Sequence, residues 1–478
     1  MRTRLLLLTA ILLLAAIAVA QEPAPFKGRF PAPDAAQKAR DDADHQRAVT
    51  AYRFWYPTVS AEGIFHGNRE QGINDNEAMP ILSAGPRHVG FTLNSDTPYG
   101  GGVIDVKDGP YVIEVPPGPF IGLANDHHQG WILDVGLAGP DMGKGGKHLV
   151  LPPGYNGEVP KGYFVGTSSS HKVLVALRSL PVKGDVKAAL DALKTVKIYP
   201  LSTAAAPKLV KMVDMTEKKM DGTCLRWEDN LAYWEKLHAV IDAEPLNEKF
   251  LPMYGLLSAL GIEKGKPFAP DARMKTILGK AAKAGRDQML VSAFASARTD
   301  TLAWKDRRWE WLGLVPENAQ FETKAGIDLE ARDRWFGQAI VTSPAMFRRA
   351  QGAGSLYWLG HRDTTGAFVD GGKTYKLTVP LAVPAGLFWS VTIYDAATRS
   401  EVQTAQDKAA LRSMFELKDT GDAKSIDLYF GPKAPPGKEG QWIQTVPGKA
   451  WFAYFRIYGP GKAAFDGTWK PGDFEEVK

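Results

Sequence analysis

Cysteine is nearly absent from this sequence: the 478 residues include one, Cys224. A single thiol cannot form an internal disulfide, and a chain of this length buries enough apolar surface to fold without such crosslinks. A catalytic thiol would need a helix start and a basic partner. Cys224 precedes a helical pattern at 225–241, but the sequence offers no identifiable basic partner. We therefore predict a buried, structural cysteine.

A strong excess of one charge is also lacking. The sequence has 58 basic and 53 acidic residues, a net charge of +5, and no dense run of Lys and Arg. Proteins that bind nucleic acids need a basic patch or stripe, so the charge pattern excludes a nucleic-acid partner. The hydrophobic share of 44% and the charged share of 23% are ordinary for globular proteins and exclude a wholly disordered chain.

Standard catalytic signatures are missing as well. The sequence contains no phosphate loop of the GxxxxGKS or GxxxxGKT type, no HExxH, no GxSxG and no CxxC. These absences argue against nucleotide enzymes of the P-loop class, zinc proteases and α/β-hydrolases. No metal site is predicted, and the cofactor is left unassigned.

The one long hydrophobic run lies at the start of the sequence. Arg2 and Arg4 precede an apolar stretch at 5–16, and Ala18-Val19-Ala20 forms a small-x-small cleavage signal. This pattern is typical of a secretory signal peptide. The alternative, a membrane anchor, would need ~20 apolar residues. We expect an exported protein, periplasmic or secreted, without a stable membrane anchor.

The remaining sequence alternates between β-rich and helical stretches. Short β-like runs begin near residue 88, helical periodicity dominates 205–300, and β-like alternation returns from Tyr357. A helix that starts at Asp41 is expected to kink or end at Pro57. We predict an α+β, β-dominated fold of two antiparallel β-sandwich or jelly-roll-like domains joined by a helical segment. The predicted boundaries are a signal peptide at 1–20, an extended lead-in at 21–40, an N-terminal helix plus β-sandwich domain at 41–204, a helical connecting region at 205–345 and a C-terminal β-sandwich domain at 346–478.

The last long strand pattern has one markedly polar-aromatic face. Alternation at 451–458 puts Phe452, Tyr454, Arg456 and Tyr458 on the face opposite the aliphatic one. This face is aromatic with one cation. We expect it to line a pocket or to contact the other domain.

The densest polar cluster is the segment 94–99. An Asx-rich stretch after a strand forms side-chain-to-backbone hydrogen bonds that fix a tight turn. On the functional interpretation, Asn94, Asp96 and Tyr99 converge on the mouth of a pocket. The structural interpretation, a turn and nothing more, stays open.

A second polar cluster spans 125–131 and contains Asp126, His127, His128 and Trp131. Adjacent residues of an extended chain point to opposite sides, so the two histidines cannot easily bind one metal ion together. An Asp–His pair is suited to general-base chemistry. The candidate catalytic residues are therefore Asp96, Asp126, His127 and His128, with a structural turn as the alternative.

Two turns in the last β-rich region supply candidate anion-binding residues. Arg362 lies in the first of them, and Tyr394 and Arg399 lie in the second. An arginine can hold a carboxylate or phosphate through two parallel hydrogen bonds. The alternative is an Arg–Asp pair that braces each turn.

At these residues the chain resembles a bacterial family that combines two domains of unknown function, numbered 1254 (N-terminal) and 1214 (C-terminal). The N-terminal resemblance lies in AYRFWYP at 51–57, NSDTPY at 94–99 and LPPGYNGEVPKGYFV at 151–165. The C-terminal resemblance lies in FWSVTIYD at 388–395 and DGTWKPGDFE at 466–475. It implies two β-rich, sandwich-like domains with helical connections and carries over no catalytic residue. The His127-His128 pair departs from the usual family pattern.

Two functions follow as hypotheses. The first is an exported protein that binds a small molecule or carbohydrate in a cleft formed by strand-end loops, since aromatic faces suit sugar rings and apolar ligands. Its ligand-binding candidates are Asn94, Tyr99, Trp131, Arg362, Tyr394 and Arg399. The alternative is a hydrolase-type enzyme that uses the Asp/His cluster for acid–base chemistry. Exposed strand edges also leave a homo-oligomer open.

Overall fold

The computed structural model describes residues 26–27, 30–314, 318–352, 354–418 and 421–477. The predicted signal peptide lies outside the described residues. Within them the fold is α+β and β-rich, with two β-sandwiches and a helical segment between them, which confirms the predicted fold class. None of the helices in this part of the chain combines the length and apolar character that crossing a membrane requires.

The helices are concentrated at the start of the chain and between the sandwiches. Those in the described residues are α1 (Pro33–Glu70), α2 (Val186–Leu193), α3 (Ala232–Ala243), α4 (Leu251–Ser258), α5 (Ala272–Phe294), α6 (Leu329–Phe336) and α7 (Pro344–Phe347).

The strands of the described residues are β1 (Phe26–Lys27), β2 (Phe30–Pro31), β3 (Ala78–Ser83), β4 (His88–Val89), β5 (Pro98–Asp105), β6 (Tyr111–Val115), β7 (Phe120–Asp126), β8 (Trp131–Gly136), β9 (Gly146–Leu151), β10 (Phe164–Thr167), β11 (Lys172–Ser179), β12 (Lys197–Pro200), β13 (Lys211–Asp214), β14 (Met220–Asp221), β15 (Glu310–Trp311), β16 (Glu322–Thr323), β17 (Gly326–Ile327), β18 (Ser355–Gly360), β19 (Thr374–Pro380), β20 (Ala385–Asp395), β21 (Ala410–Arg412), β22 (Ser425–Gly431), β23 (Trp442–Gln444), β24 (Trp451–Pro460) and β25 (Phe474–Val477).

The N-terminal sandwich packs a six-stranded sheet, called the N-sheet below, against a four-stranded sheet. The N-sheet has the strand order β13-β3-β5-β11-β7-β8, and its partner has the order β10-β9-β6-β12. Side-chain alternation along β11 explains the packing, because Val173 and Val175 share a buried core with Ile113 of β6. The opposite face of β11 carries Ala176 and Arg178, so it is available for contacts outside the sandwich.

The C-terminal sandwich is built in the same way. A five-stranded sheet, called the C-sheet below, has the order β15-β18-β24-β20-β21 and packs on a sheet with the order β23-β22-β19-β25. Phe455 and Ile457 of β24 share a core with Leu377 of β19. The other face of β24 carries Tyr454 and Arg456, as its alternation predicted.

Not every strand pair is antiparallel, which corrects one part of the prediction. The pairs β9–β10, β3–β13, β4–β14 and β22–β23 are parallel. A parallel pair needs a connection that carries the chain back to its starting end. The segments 152–163 and 432–441 are long enough to do so for β9–β10 and β22–β23.

Helix α1 begins at Pro33 and not at Asp41, so the predicted extended lead-in is shorter than expected. Proline is favourable at the first helical position because its missing N–H would have no helical partner there. Asp34 lies in the first turn, where a negative charge interacts favourably with the helix dipole.

Helix α1 also continues through Pro57, where a kink or end was predicted. The proline has no N–H and leaves the carbonyl of Arg53 without its helical donor. Arg332 Nη1 donates to that carbonyl at 3.5 Å, and Gln129 Nε2 donates to the carbonyl of Pro57 at 2.8 Å. Residues distant in sequence therefore stabilise the helix across the proline.

Helices α1 and α5 approach closely at Gly285, which gives a stability prediction. A Cβ atom at Gly285 would lie 2.4 Å from the Tyr52 ring, whereas a Cβ at Gly279 of the same helix would meet nothing within 4 Å. We expect Gly285→Ala to lower the free energy of unfolding by about 1–3 kcal/mol through overpacking. Gly279→Ala should raise it by up to about 1 kcal/mol, because alanine favours helix. Urea unfolding of both variants measures this difference, and equal effects would contradict the packing.

Candidate ligand-binding cavity between the sandwiches

The two sandwiches enclose a cavity of about 280 Å³ between the outer faces of the N-sheet and the C-sheet. Helix α1 and the segment from α6 to α7 complete its walls. Most of the side chains that line it are apolar, and its polar side chains include two arginines, Arg178 and Arg456.

The N-sheet wall owes its space to small residues. Gly101 of β5 and Leu123 of β7 are the cross-strand neighbours of Ala176 on β11, and all three line the cavity. Ile121 and Leu174 lie on the same wall. A strip of glycine and alanine between larger aliphatic side chains leaves a hollow in the sheet surface.

The opposite wall is aromatic. Tyr357 of β18 and Tyr454 of β24 contribute from the C-sheet, and Trp335 and Met346 contribute from the helical segment. The cavity is thus formed by residues from both sandwiches and from the connection between them.

Arg178 connects the two sandwiches at the edge of the cavity. Its Nε donates to Thr97 Oγ1 at 2.8 Å, and its Nη2 donates to Asn94 Oδ1 at 3.3 Å and to the Tyr458 hydroxyl at 2.7 Å. The guanidinium carbon also lies 4.9 Å from the centre of the Tyr99 ring.

Arg456 enters the cavity from the C-sheet and is 1% exposed. Its Nη1 donates to Thr392 Oγ1 at 3.0 Å, and its Nη2 donates to the Tyr394 hydroxyl at 2.7 Å. Nε has no hydrogen-bond partner in the part of the chain that the structure describes. The guanidinium also lies 5.0 Å from the centre of the Tyr454 ring.

One acidic residue, Asp134 of β8, also lines the cavity. Burial raises the pKa of its carboxyl to about 6, although hydrogen bonds from Ser343 and Trp131 oppose the shift. In the order of the N-sheet, Asp134 lies two strands away from Arg178.

The first predicted cluster lies partly in the cavity wall. Asn94 and Tyr99 line the cavity, and Asn94 Nδ2 donates to the Tyr99 hydroxyl at 2.6 Å. The Asn94 carbonyl oxygen also accepts the N–H of Asp96 at 3.1 Å, which is the predicted turn. Asn94 therefore forms the predicted turn and also lies in the wall of the cavity.

Asp96 is fully buried between the sandwiches and not in the cavity wall. Its Oδ2 accepts hydrogen bonds from Ser390 at 2.7 Å and from the Tyr458 hydroxyl at 2.9 Å.

The residues of the second cluster bind other partners. Asp126 Oδ1 accepts the N–H groups of His128 and Gly130 at 2.9 and 2.7 Å, and its Oδ2 accepts from Ser169 at 2.6 Å. His128 Nδ1 lies 2.9 Å from Thr58 Oγ1. Burial lowers the pKa of His128.

The four candidate catalytic residues therefore do not form one cluster. None of the hydrogen bonds and ion pairs recorded for the described residues joins Asp96 to Asp126, His127 or His128. The hydrolase hypothesis required these side chains in one cleft, and the structure does not bring them together. Across the same described ranges, no group of His, Cys, Asp and Glu could hold a metal ion.

Asp126, His128 and Trp131 line a second cavity, of about 550 Å³. Trp131 is 38% exposed there. This cavity shares no lining residue with the one between the sandwiches.

His127 lies buried between two carboxylates. Its Nδ1 is 3.0 Å from Glu244 Oε1, and its Nε2 is 3.4 Å from Glu62 Oε2. Burial opposes protonation, but the hydrogen bonds and charges of Glu244 and Glu62 outweigh it and raise the pKa of His127. Burial alone would raise the pKa of Glu62 and Glu244. Their hydrogen bonds to His127 and its positive charge outweigh burial and lower the pKa of both.

These shifts predict a stability maximum in pH. The protonated His127 contributes to the free energy of unfolding. This contribution is complete below the ordinary histidine pKa of 6.5 and is lost as the pH rises through the raised pKa of His127. The contribution of the two carboxylates is complete above 4.5 and is lost as the pH falls. We expect His127→Gln to lower the free energy of unfolding most, on the order of 2 kcal/mol, between these values. Urea unfolding from pH 4 to pH 9 measures the profile.

The partly exposed pair His66–Glu70, with 3.0 Å between Nε2 and Oε1, supplies the matched control. His66→Gln should leave the free energy of unfolding nearly unchanged over the same range, because surface ion pairs contribute little. If His127→Gln lowered the free energy of unfolding by the same amount at every pH from 4 to 9, a charged His127 between the two carboxylates would be contradicted.

The candidate anion-binding residues of the C-terminal region bind different partners within the protein. Arg362 donates to the carbonyl of Gly366 at 2.9 Å and packs 4.0 Å from the Phe368 ring centre, outside the cavity. Tyr394 accepts from Arg456 behind the cavity wall. Arg399 is buried in an ion pair with Glu228, so its charge is already neutralised within the protein.

Sequence reasoning missed Arg178, Tyr357 and Asp134 as cavity residues. For Arg178 a usable signal existed, because it lies two positions after Ala176 and residues two apart on an extended chain share a face. For Arg456 the polar-aromatic face was correctly singled out, and it both lines the cavity and contacts the N-terminal sandwich. Cys224 is buried, as predicted, and burial raises the pKa of its thiol.

The fold and site together define a two-sandwich protein with an interdomain cavity. A family model described as protein of unknown function DUF1254 matches residues 79–200, and one described as protein of unknown function DUF1214 matches residues 354–462. The chain therefore carries an N-terminal DUF1254 domain and a C-terminal DUF1214 domain, as the resemblance predicted.

A solved structure supports the fold. The VPA0106 protein from Vibrio parahaemolyticus is 20% identical over 91% of this chain and 100% of its own, with a TM-score of 0.57, and shares the fold. An uncharacterized protein from Burkholderia cenocepacia is 10% identical over 93% of this chain and 97% of its own, with a TM-score of 0.42. A comparison with curated proteins gives no match.

Proposed function

We propose that the chain binds a small molecule with a largely apolar body in the cavity between the two sandwiches. The observation that carries the proposal is the mostly apolar cavity of about 280 Å³ at the interface of two domains. Pockets that are apolar with a few polar groups and lie between domains are typical small-molecule sites.

The residue types in the walls favour an apolar ligand over a carbohydrate. Sugars need many hydrogen-bonding groups along their length, whereas the N-sheet wall offers Ile121, Leu123 and Leu174. The polar groups are few, and a small number of polar groups in an apolar pocket fixes the orientation of a ligand. The sequence predicts a ligand in a cleft formed by strand-end loops. The cavity proposed here lies instead between the facing surfaces of the N-sheet and the C-sheet.

A binding screen tests the proposal. Thermal unfolding of the purified protein should shift upward with medium-chain aliphatic or aromatic compounds and not with mono- and disaccharides, because a ligand that binds the folded state stabilises it. A shift with sugars and none with apolar compounds would favour the carbohydrate alternative. No shift with any compound would contradict the proposal.

A further inference from the structure

We propose that the ligand carries one anionic group, such as a carboxylate, that binds to Arg456 and Arg178 while its apolar body lies against the small-residue strip of the N-sheet. This inference rests on the proposed function and specifies the chemistry of the ligand.

Neither arginine has a carboxylate partner among the described residues. No ion pair within 4.0 Å is formed by Arg178 or Arg456 in the described part of the chain, although both line the cavity. Their hydrogen bonds go to hydroxyl groups, to the amide oxygen of Asn94 and to the backbone carbonyl oxygen of Thr92. A buried guanidinium is costly unless its charge is compensated.

Donor groups of both arginines remain unused. Arg456 is 1% exposed, and its Nε has no hydrogen-bond partner among the described residues. Arg178 uses only Nε and Nη2 in its recorded hydrogen bonds, which leaves Nη1 for a ligand. A carboxylate has two oxygens and can accept hydrogen bonds from more than one such group.

Positive charge is in excess around the two arginines. Asp96 is connected to Arg178 only through the Tyr458 hydroxyl. A second buried acid, Glu401, accepts the N–H of Ser95 at 2.9 Å, and burial raises its pKa to about 7. Because Glu401 therefore holds its proton more readily than an ordinary glutamate, a single bound anion would balance the excess.

Asp134, the acidic residue in the cavity wall, determines which end of the cavity receives the anionic group of the ligand. It lies two strands from Arg178 in the N-sheet. A carboxylate at that position repels an anion, so the charged end of the ligand belongs at the arginines.

Calorimetric titration with three probes of equal length tests the inference: octanoate, 1-octanol and octylamine. We expect octanoate to bind at least about tenfold more tightly than 1-octanol, because charge-assisted hydrogen bonds are the stronger ones. Octylamine should bind most weakly of the three. Arg456→Met and Arg178→Met should each remove most of the preference for octanoate over 1-octanol. Arg362→Met, which removes an arginine outside the cavity, should retain it.

The outcomes separate the inference from the proposed function. Equal binding of octanoate and 1-octanol to the wild type would overturn the anionic ligand and leave the apolar ligand standing. Binding of neither would overturn the proposed function. Retention of the octanoate preference in a folded Arg456→Met and a folded Arg178→Met would overturn the assigned binding residues. If either variant does not unfold cooperatively and is therefore not properly folded, the relative affinities of the wild type for the three probes decide whether the ligand is anionic.

Discussion

Replacement of Arg399 by methionine is expected to lower the free energy of unfolding by about 3–5 kcal/mol, because it leaves a buried carboxylate without its main partner. Arg399 is 1% exposed and pairs with Glu228, which is 2% exposed. Glu228 also accepts the hydroxyl of Tyr56 and lies 3.2 Å from Arg286 Nε. The C-terminal sandwich is thereby joined to α1 and to the helical segment.

The double variant Arg399→Met/Glu228→Gln separates an uncompensated charge from lost packing. It should be more stable than Arg399→Met alone, because the amide no longer requires a cation. Arg87→Met is the matched control, since Arg87 bridges Asp407 and Glu217 while 37% exposed. That change should leave urea unfolding nearly unchanged. Equal destabilisation by Arg399→Met and Arg87→Met would show that the buried ion pair is not what joins the domains.

Replacement of Ala176 by phenylalanine is expected to abolish ligand binding while the protein remains folded. Ala176 lies on the cavity face of β11 between Gly101 and Leu123, so a phenyl group would occupy the space proposed for the ligand. We expect the affinity for the best apolar ligand of the screen to fall by at least about tenfold, which corresponds to about 1.4 kcal/mol. Calorimetric titration measures it.

The control for this variant is Ala205→Phe, at an exposed turn position. It adds the same side chain outside the cavity and should bind ligand as the wild type does. Thermal unfolding of both variants without ligand verifies that they are folded. Wild-type affinity in folded Ala176→Phe would place the ligand elsewhere.

Much of the fold could be predicted because local patterns determine it. Alternation identified β24 and both of its faces, and α5 begins at a local capping residue, Asp271, which accepts the N–H of Met274. Strands without alternation were missed: β3 is almost fully buried, and β7 is largely so. Their sequences therefore do not show a period of two.

The cavity could not be predicted because its parts are distant in sequence. Arg178 and Tyr458 are hydrogen-bonded across 280 positions, and Asp96 and Ser390 across 294. Single turns such as 94–99 were recognisable, but which sheet face they meet depends on how the two sandwiches pack. The polar turns at 125–131 and at Arg362 look similar in sequence to the turn at 94–99, but they do not line the cavity between the sandwiches.

A crystal structure of the protein with 8-bromooctanoate would show where the ligand lies, because the anomalous signal of bromine locates it. We expect a bromine peak among the aliphatic side chains of the N-sheet wall, with the carboxylate at Arg456 and Arg178. A bromine peak in the second cavity beside Trp131, or on the outer surface with the interdomain cavity empty, would contradict it.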